Sequence, residues 1–415
     1  MNNSLSHAAA STSDTASATT RRQWLAVIAV AISAFAFVTS EFLPVGLLPQ
    51  IARDLGVTPG TAGLMITMPG ILAAISAPAL MILAGRMDRR HVFMLLTAAL
   101  LVSNLICATS THFAAMLIGR AMLGAALGGF WTLATAAAGR LVQPADATKA
   151  MGTILTGVMC ATVAGVPLGT FIASFASWRA SFYVTGALVA IALALQAWLT
   201  PSLPSETALR FGAFVDVLRR PFARLSLLMI ALVFGAHFST YTYIAPWLQE
   251  DFSVRAMTLL LLAFGVAGFV ANTVFSTLIA GRLKGSITAM MLLLLGALAS
   301  MAWFDHSRVG DSVAMLVWGA AFGALPLCCS VWIQRGIADA AEAGSALFIC
   351  VVQIAIAVGS CVGGGIVDTA GTRVDFVFGG VLVLFALVML LRLVALERLR
   401  TKTRASIALC RDGCA

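Results

Sequence analysis

Charged residues are scarce in this chain. Asp, Glu, Lys and Arg together make up only 10% of its 415 residues, whereas soluble proteins contain roughly 25%. Apolar residues account for 60%, and the mean hydropathy is +0.98. A water-soluble domain would expose far more charge to solvent, so we expect an integral membrane protein.

The sequence also lacks the residue clusters of the common enzyme classes. It contains no Ser/His/Asp constellation, no metal ligands at a recognised spacing and no Walker-type phosphate loop. Eight cysteines are present, but those in apolar runs lack metal-ligand spacing, and Cys410 and Cys414 have no third ligand nearby. We therefore expect no enzymatic activity, no metal, no other cofactor and no ATP-driven pumping by this chain.

The composition at the beginning of the chain does not predict a secretory signal. Its first twenty residues are rich in Ser, Thr and Ala and carry Asp14 as their one charge, without a basic start or an apolar core. This composition predicts a disordered cytoplasmic tail over residues 1–23.

Long apolar runs are what the sequence has in abundance. Twelve runs of about 17 to 25 residues follow one another, each long enough to cross a bilayer as a helix. We place them at 24–48, 60–84, 92–110, 113–138, 151–176, 181–199, 225–248, 258–280, 287–304, 313–334, 346–368 and 374–396. The longest loop follows the sixth run. The prediction is an all-α integral membrane protein with an N-terminal six-helix bundle (24–199), a cytoplasmic linker (200–224), a C-terminal six-helix bundle (225–396) and a basic cytoplasmic tail (397–415).

The positive charges are distributed unevenly between the two sides. If the N-terminus is cytoplasmic, 20 of the 26 Lys and Arg residues fall in cytoplasmic segments, five in outer loops and one inside a span. The positive-inside rule then places both termini in the cytoplasm. The formal net charge of +9 thus reflects membrane orientation, and nucleic acid is not an expected partner.

A carboxylate is submerged in the first span. Glu41 is the only charge between Trp24 and Leu48. An ionised carboxylate at that depth costs at least about 2.5 kcal/mol, so it must face a wet cavity, pair with a cation or carry a proton. Three residues later, Pro44 removes a backbone N–H and frees the carbonyl of Ser40, which predicts a kink beside the carboxylate.

Two further ionisable side chains lie well inside predicted spans. Arg120 in the fourth span and His237 in the seventh lie at about the depth of Glu41, near or slightly outside the midplane. A Glu41–Arg120 pair would offset the cost of burying both charges, and protonation of Glu41 would release Arg120. We predict these three as proton-coupling residues. The alternatives are a static structural ion pair and a hydrogen-bonded core histidine.

Several motifs resemble those of one family. The turn Gly85-Arg86-Met87-Asp88-Arg89-Arg90 follows the second span, and a similar turn that begins at Gly281 follows the eighth, 196 positions later. The fourth span carries a glycine-rich block around Arg120, and the fifth carries Gly157 and Gly165-Val166-Pro167-Leu168-Gly169. From Trp24 to about Leu396 the chain resembles the major facilitator superfamily, in its drug:proton antiporter branch.

This resemblance implies an architecture and a set of motif residues. The architecture is two pseudo-symmetric six-helix bundles around a central cavity, lined chiefly by the first, fourth, seventh and tenth spans, with alternating access. The conformational motif residues that it implies are Gly85, Asp88, Arg89, Gly157, Gly165, Pro167 and Gly169.

Within that branch, the chain looks most like the purine ribonucleoside efflux pumps. The blocks that carry this likeness begin at Ser40, Ile118, Tyr241 and Trp332, and sugar efflux permeases share much of the same set. The implied function is proton-coupled export of purine ribonucleosides, such as inosine, guanosine and analogues, across the bacterial inner membrane by a monomer. The alternative is a sugar or multidrug exporter. A non-transporting sensor would need a soluble domain, and no loop is long enough for one.

A nucleoside site should combine aromatic side chains that stack on the base with amides or hydroxyls that bind the ribose. The apolar spans offer both kinds. The substrate-binding candidates are Phe130, Trp131, Phe238, Tyr241, Tyr243, Asn272, Trp318 and Gln353. The alternative for the aromatic residues is a lipid-facing position, whereas an amide in lipid would lose its hydrogen bonds.

Overall fold

The described part of the chain folds into fourteen α-helices. The structure, a computed structural model, describes residues 19–83, 87–203, 211–303 and 307–412, and within these ranges it contains no strand. The helices are α1 (Arg21–Leu55), α2 (Pro59–Ala62), α3 (Leu64–Leu83), α4 (Arg89–Thr109), α5 (Phe113–Leu141), α6 (Ala147–Phe175), α7 (Trp178–Leu199), α8 (Phe211–Arg219), α9 (Pro221–Thr242), α10 (Ile244–Asp251), α11 (Val254–Trp303), α12 (Arg308–Gly336), α13 (Ala341–Ala370) and α14 (Thr372–Asp412).

Twelve stretches of these described ranges are long and apolar enough to cross a membrane, which confirms the twelve predicted spans. The eighth and ninth spans are joined, because α11 runs through 50 residues and leaves helical geometry at Arg282 (φ −132°, ψ 28°). The seventh span is broken into α9 and α10 at Tyr243 (φ −107°, ψ 16°). The predicted turn after the eighth span is thus a tight break at Arg282, where one spanning helix ends and the next begins.

Both ends of the bundle extend beyond the predicted spans. α1 begins at Arg21, because the Thr20 side chain accepts a hydrogen bond from the Gln23 N–H and the Gln23 side chain accepts one from the Thr20 N–H. Residues 21–23 of the predicted tail are therefore helical, and residues 1–18 lie outside the described ranges. The backbone of α14 stays helical as far as Asp412, inside the predicted basic tail.

The helices pack as two halves of six spans each. In the first half, α1 lies along α6 and α7, and α3 along α5; in the second half, α11 lies along α12, and α9 along α13 and α14. Each half has an apolar core of its own, which in the first half includes Phe37, Phe93 and Phe130. The halves meet where α3 packs against α13 and α6 against α11.

An even number of crossings puts both chain ends on one side of the bundle. That side is called the termini side here, and the opposite side the far side. α1 starts at the termini side and ends at the far side with Gly56, whose φ of 65° is the left-handed conformation that glycine adopts without strain. The short helix α8 lies in the predicted linker on the termini side.

Candidate functional site

Glu41 lies in the interior of α1 with only 4% of its surface exposed. Pro44 is in the same helix, one turn further on. Because proline has no N–H, it leaves the carbonyl of Ser40 without its intrahelical donor. A buried carbonyl in that position needs a hydrogen-bond donor from another helix.

Arg120 of α5 supplies that donor. Its guanidinium is 1% exposed and donates to the backbone carbonyls of Ser40 at 2.5 Å, Glu41 at 2.6 Å and Met65 at 2.6 Å. The first two carbonyls belong to α1 and the third to α3. The planar fork of donors on one arginine therefore holds three helices of the first half together.

This arrangement corrects the predicted ion pair. The ion pairs of the described chain do not include Glu41 with Arg120, and the guanidinium contacts the backbone of residue 41 instead of its carboxylate. The physical reason is the carbonyl that Pro44 frees, since an unpaired buried carbonyl costs about 1–3 kcal/mol. Protonation of Glu41 thus breaks no direct bond to Arg120.

The Glu41 carboxylate receives its hydrogen bond from the second half. Nε2 of Gln353 on α13 donates to Oε1 of Glu41 at 3.3 Å, and Gln353 is 6% exposed. The sequence predicted Gln353 as a substrate ligand. The structure brings it to the predicted proton-coupling carboxylate, across the boundary between the halves.

His237 lies on α9 and is 2% exposed. Its Nδ1 accepts a hydrogen bond from the indole Nε1–H of Trp318 on α12 at 3.0 Å. Its ring stacks on Phe322, with centroids 3.3 Å apart, and on Tyr241, with centroids 4.9 Å apart. A ring nitrogen that accepts a hydrogen bond carries no proton, so the imidazole is neutral in this arrangement. The structure does not bring His237 into hydrogen-bond contact with Glu41 or Arg120.

The rings around His237 form an aromatic cluster that spans both halves. Its members are Phe42, Phe238, Tyr241, Phe264, Trp318 and Phe322. Phe42 of α1 stacks on Phe238 of α9 with centroids 5.4 Å apart, which joins the cluster to the residue next to Glu41. Three of the six were predicted as substrate ligands. Phe42, Phe264 and Phe322 were missed, because a phenylalanine in an apolar helix gives no contrast with its neighbours.

Phe130 and Trp131 pack in the apolar core of the first half. Phe130 is fully buried in the core of the first half, stacked on Phe37 at 4.3 Å and edge-on to Phe93 at 6.0 Å. Trp131 is half-buried and packs edge-on to Phe130. These contacts are typical of apolar core residues, and a substrate role for Phe130 and Trp131 stays a prediction.

Tyr243 and Asp368 form a junction between the halves at the far side. The Asp368 carboxylate of α13 accepts from Thr58 Oγ1 at 2.6 Å and from the Gly60 N–H at 2.8 Å, which caps the start of α2 from the opposite half. The Tyr243 hydroxyl donates to the Ser360 carbonyl at 2.7 Å and lies 3.4 Å from that of Gly60. We call this junction the far-side clasp. Tyr243 was predicted as a substrate ligand, but in this structure its hydroxyl donates to the backbone carbonyl of Ser360.

The remaining amide candidate lies at the other contact between the halves. Nδ2 of Asn272 on α11 is 3.7 Å from the sulfur of Met159 on α6. Nearer the far side of the same contact, the hydroxyl of Thr258 donates to that of Thr170 at 3.0 Å. Asn272 is half-buried and belongs to the packing of α6 against α11.

The predicted motif residues of α6 lie against α1. A Cβ added at Gly157 would collide with the Ala31 carbonyl, and one at Gly165 would approach Thr39 Oγ1 to 3.0 Å. Glycine at these positions therefore allows the close approach of the two backbones. Pro167 is buried inside α6, and a Cβ at Gly169 would collide with Leu43.

The predicted motif turn after the second span reaches the linker. Asp88 caps α4 through the Arg90 N–H at 2.9 Å and also accepts from the Leu203 N–H at 2.8 Å and from the Ser202 hydroxyl. Although partial burial opposes it, these hydrogen bonds lower the pKa of Asp88 below its ordinary value. The Arg89 N–H donates to the Leu203 carbonyl at 3.0 Å. Gly85 lies outside the described residues.

Two buried carboxylates were not singled out from the sequence. Asp311 near the start of α12 is 7% exposed and Asp375 near the start of α14 is 1% exposed. Both lie in the first turn of a helix, where acidic residues are usually solvated caps. Because acidic residues are common in the first turn of a helix, the sequence did not indicate that these two carboxylates are buried.

Comparison with known proteins identifies the family. A family model described as the Major Facilitator Superfamily matches residues 30–351. This chain belongs to the major facilitator superfamily. It is therefore a multi-pass membrane transporter and not an enzyme, with two six-helix halves as the resemblance implied.

Relatives within the superfamily align over almost the whole chain. One from Escherichia coli O6:H1, named purine ribonucleoside efflux pump NepI, is 33% identical over 386 residues, which cover 92% of this chain and 97% of that protein. A protein of the same name from Salmonella paratyphi C is 34% identical over 373 residues, covering 89% and 94%.

Solved structures share the fold. The nucleoside transporter NupG superposes with a TM-score of 0.69 at 16% identity and covers 89% of this chain and 98% of its own. The human organic anion transporter MFSD10 gives a TM-score of 0.65 at 19% identity, covering 89% and 99%. At this identity the likeness concerns the fold alone.

Proposed function

We propose that this transporter is a proton-coupled antiporter that exports purine ribonucleosides, such as inosine and guanosine, from the cytoplasm. The observation that carries the substrate class is the match, at 33–34% identity over about nine-tenths of the chain, to relatives named purine ribonucleoside efflux pumps. The observation that carries the coupling is a carboxylate, Glu41, buried between the halves.

The orientation follows from the positive charges. Twenty of the 26 Lys and Arg residues fall in segments that the sequence predicts on the same side as the termini, so we assign that side to the cytoplasm of the bacterial inner membrane. The far side is then the outer side. The far-side clasp and the Thr258–Thr170 contact close the halves there, so the structure corresponds to a state that is closed to the outside.

The aromatic cluster is the place that suits a purine base. Phe238, Tyr241, Trp318 and Phe322 of the second half present stacked and edge-on rings, and Phe238 also stacks on Phe42 of the first half. We propose that a purine base packs against these rings with favourable offset stacking. The neutral His237 ring keeps one nitrogen for a hydrogen bond to the base, because the other is already bound to Trp318. We therefore propose that four of the earlier substrate candidates pack between and within the halves instead of binding substrate, namely Phe130, Trp131, Tyr243 and Asn272.

Glu41 is the proposed proton carrier. It would take up a proton from the outer side and release it to the cytoplasm, and the nucleoside would leave in the opposite direction. A pH gradient of one unit supplies about 1.4 kcal/mol per proton, enough for roughly tenfold accumulation. We propose that Arg120 is the structural support of this site, because it binds the backbone carbonyls of Ser40 and of Glu41 itself.

Counterflow in proteoliposomes tests the substrate class. Vesicles loaded with unlabelled inosine, arabinose or a lipophilic cation are diluted into the same labelled compound, and saturable accumulation identifies what is carried. We expect accumulation with inosine only. Accumulation with arabinose alone would reassign the protein to sugar efflux, and accumulation with the cation alone would reassign it to drug efflux.

A further inference from the structure

Among the described residues, Glu41 has one hydrogen-bond partner from the second half, the side chain of Gln353. The backbone around Gln353 packs closely against α3. α13 lies so near to α3 at Gln353 that a Cβ added at Gly70 would come within 2.7 Å of the Gln353 carbonyl and 3.0 Å of Ala357 Cβ. The backbone of residue 353 thus packs directly against the first half in this closed arrangement. Its side chain continues past α3 to reach the carboxylate on α1.

The electrostatic surroundings of Glu41 contain few groups. The charged group that faces it is Arg120 on α5, with the Cys107 thiol of α4 beside that guanidinium. Arg120 is already bound to three backbone carbonyls. Among the described residues, the amide of Gln353 is therefore the side chain that donates a hydrogen bond to the carboxylate. Together with the Phe42–Phe238 stack, it joins the two halves at this depth.

We propose that Gln353 is a positioning residue that holds the Glu41 carboxylate across the boundary between the halves and so links the protonation of Glu41 to the closure of the far side. The inference rests on the proposed proton coupling. An amide suits this task because its N–H donates to the ionised carboxylate, and such a charge-assisted hydrogen bond is roughly twice as strong as one to a neutral carboxyl group. Protonation of Glu41 therefore weakens the contact between α1 and α13.

The contact also lies in line with the far-side clasp. Gln353, Ser360 and Asp368 follow one another on α13, and Ser360 and Asp368 bind Tyr243 and the start of α2. Because α13 is one continuous helix over these residues, a shift at Gln353 is transmitted along it as a rigid element. The carboxylate and the clasp are then coupled through α13.

The test measures how far-side opening depends on pH, which does not require the substrate to be known. A cysteine is placed at Thr61, next to the clasp, in a background without other cysteines, and its labelling by an impermeant maleimide is followed across pH. The rate is divided by that of the same cysteine in denatured protein at each pH, because the reactive thiolate fraction itself rises with pH. Gln353→Leu removes the amide and keeps the side-chain size. The matched control is Gln196→Leu, because Gln196 is a buried amide that also binds α1, through Ser33 Oγ at 2.7 Å, but within the first half.

We expect the labelling midpoint to move to higher pH by about one unit in Gln353→Leu, because the ionised carboxylate loses a donor, and to stay at the wild-type value in Gln196→Leu. Equal midpoints in Gln353→Leu and wild type, equal shifts in the two variants, or labelling of the wild type that does not depend on pH would each overturn the inference. Inosine counterflow is measured on the same preparations. Its absence in the wild type would overturn the proposed substrate and leave the labelling result standing.

A second variant keeps the pair and exchanges its members. Glu41→Gln combined with Gln353→Glu restores a carboxylate–amide contact with the carboxylate on α13. If Gln353 positions the carboxylate, the double variant regains pH-dependent labelling that Glu41→Gln alone has lost. If Gln353 is only a substrate ligand, the double variant stays independent of pH and raises the KM for inosine.

Discussion

Replacing Arg120 with methionine tests whether this arginine is the structural centre of the first half. The substitution removes three hydrogen bonds from a charged donor, each worth about 1.5–3 kcal/mol. Part of this loss is offset because a guanidinium no longer has to be buried, which costs several kcal/mol. The expected net loss in the free energy of unfolding is about 3–5 kcal/mol, because the three lost hydrogen bonds outweigh the relieved burial of the guanidinium.

The role of Pro44 makes this prediction more specific. In Arg120→Met the Ser40 carbonyl is left unpaired, since residue 44 has no N–H to donate. Adding Pro44→Ala supplies that N–H within α1. The double variant should therefore regain about 1 kcal/mol relative to Arg120→Met, which is the contribution of one hydrogen bond.

The assay is unfolding in mixed micelles by titration with SDS, followed by tryptophan fluorescence. Arg224→Met is the control, because Arg224 is exposed at the start of α9 and its removal should change little. Arg120→Lys should recover less than half of the loss, since one compact ammonium cannot reach three carbonyls on two helices. Unchanged stability in Arg120→Met would refute the assigned structural role, and equal stability of the single and Pro44→Ala double variants would refute the explanation through Ser40.

Three other predictions concern the contacts that close the far side and the linker. Gly70→Val should separate α3 from α13 and abolish transport, because a Cβ at Gly70 already comes within 2.7 Å of the Gln353 carbonyl. The control variant Gly296→Val has open space around the substituted position and should transport normally. Equal transport activity of the two variants would contradict the prediction. Asp368→Ala removes the cap on the start of α2 and should raise the labelling of a cysteine at Thr61; unchanged labelling would show that the clasp does not hold the far side closed. For Asp88, whose pKa is lowered by its hydrogen bonds despite partial burial, the stabilisation is fully present above its ordinary pKa of about 3.9 and is lost as pH falls through the lower folded value. Asp88→Asn should therefore be less stable than wild type between about pH 5 and 7 and equal to it in stronger acid, as measured by thermal unfolding; a difference that persists in strong acid would count against this reasoning.

The membrane spans could be predicted from the sequence because hydropathy and length are local properties. The eighth and ninth spans show the limit of that reasoning. The turn beginning at Gly281 contains two glycines and two basic residues, and in the structure the two spans meet there at a tight break in helical geometry at Arg282 instead of an extended loop. Whether such a segment forms a loop or a kink is decided by the packing of the helices on either side, which no local pattern records.

The sequence predicted which residues belong to the candidate site better than it predicted which partners they contact. Burial of Glu41, Arg120 and His237 followed from their positions in apolar runs, and the carbonyl freed by Pro44 followed from covalent geometry. The partners did not, because a depth along a helix says nothing about the direction in which a side chain points. Arg120 therefore binds backbone where a carboxylate was expected, and Gln353, expected at the ribose, binds the carboxylate.

The most direct test of the account is proton movement driven by a nucleoside gradient. Reconstituted protein is given an outward inosine gradient, and the pH inside the vesicles is followed with a trapped dye. We predict proton flux opposite to inosine in the wild type, and in Glu41→Gln no proton flux while inosine exchange continues. Inosine flux without proton flux in the wild type, or proton flux that persists in Glu41→Gln, would contradict the assignment of Glu41 as the coupling residue.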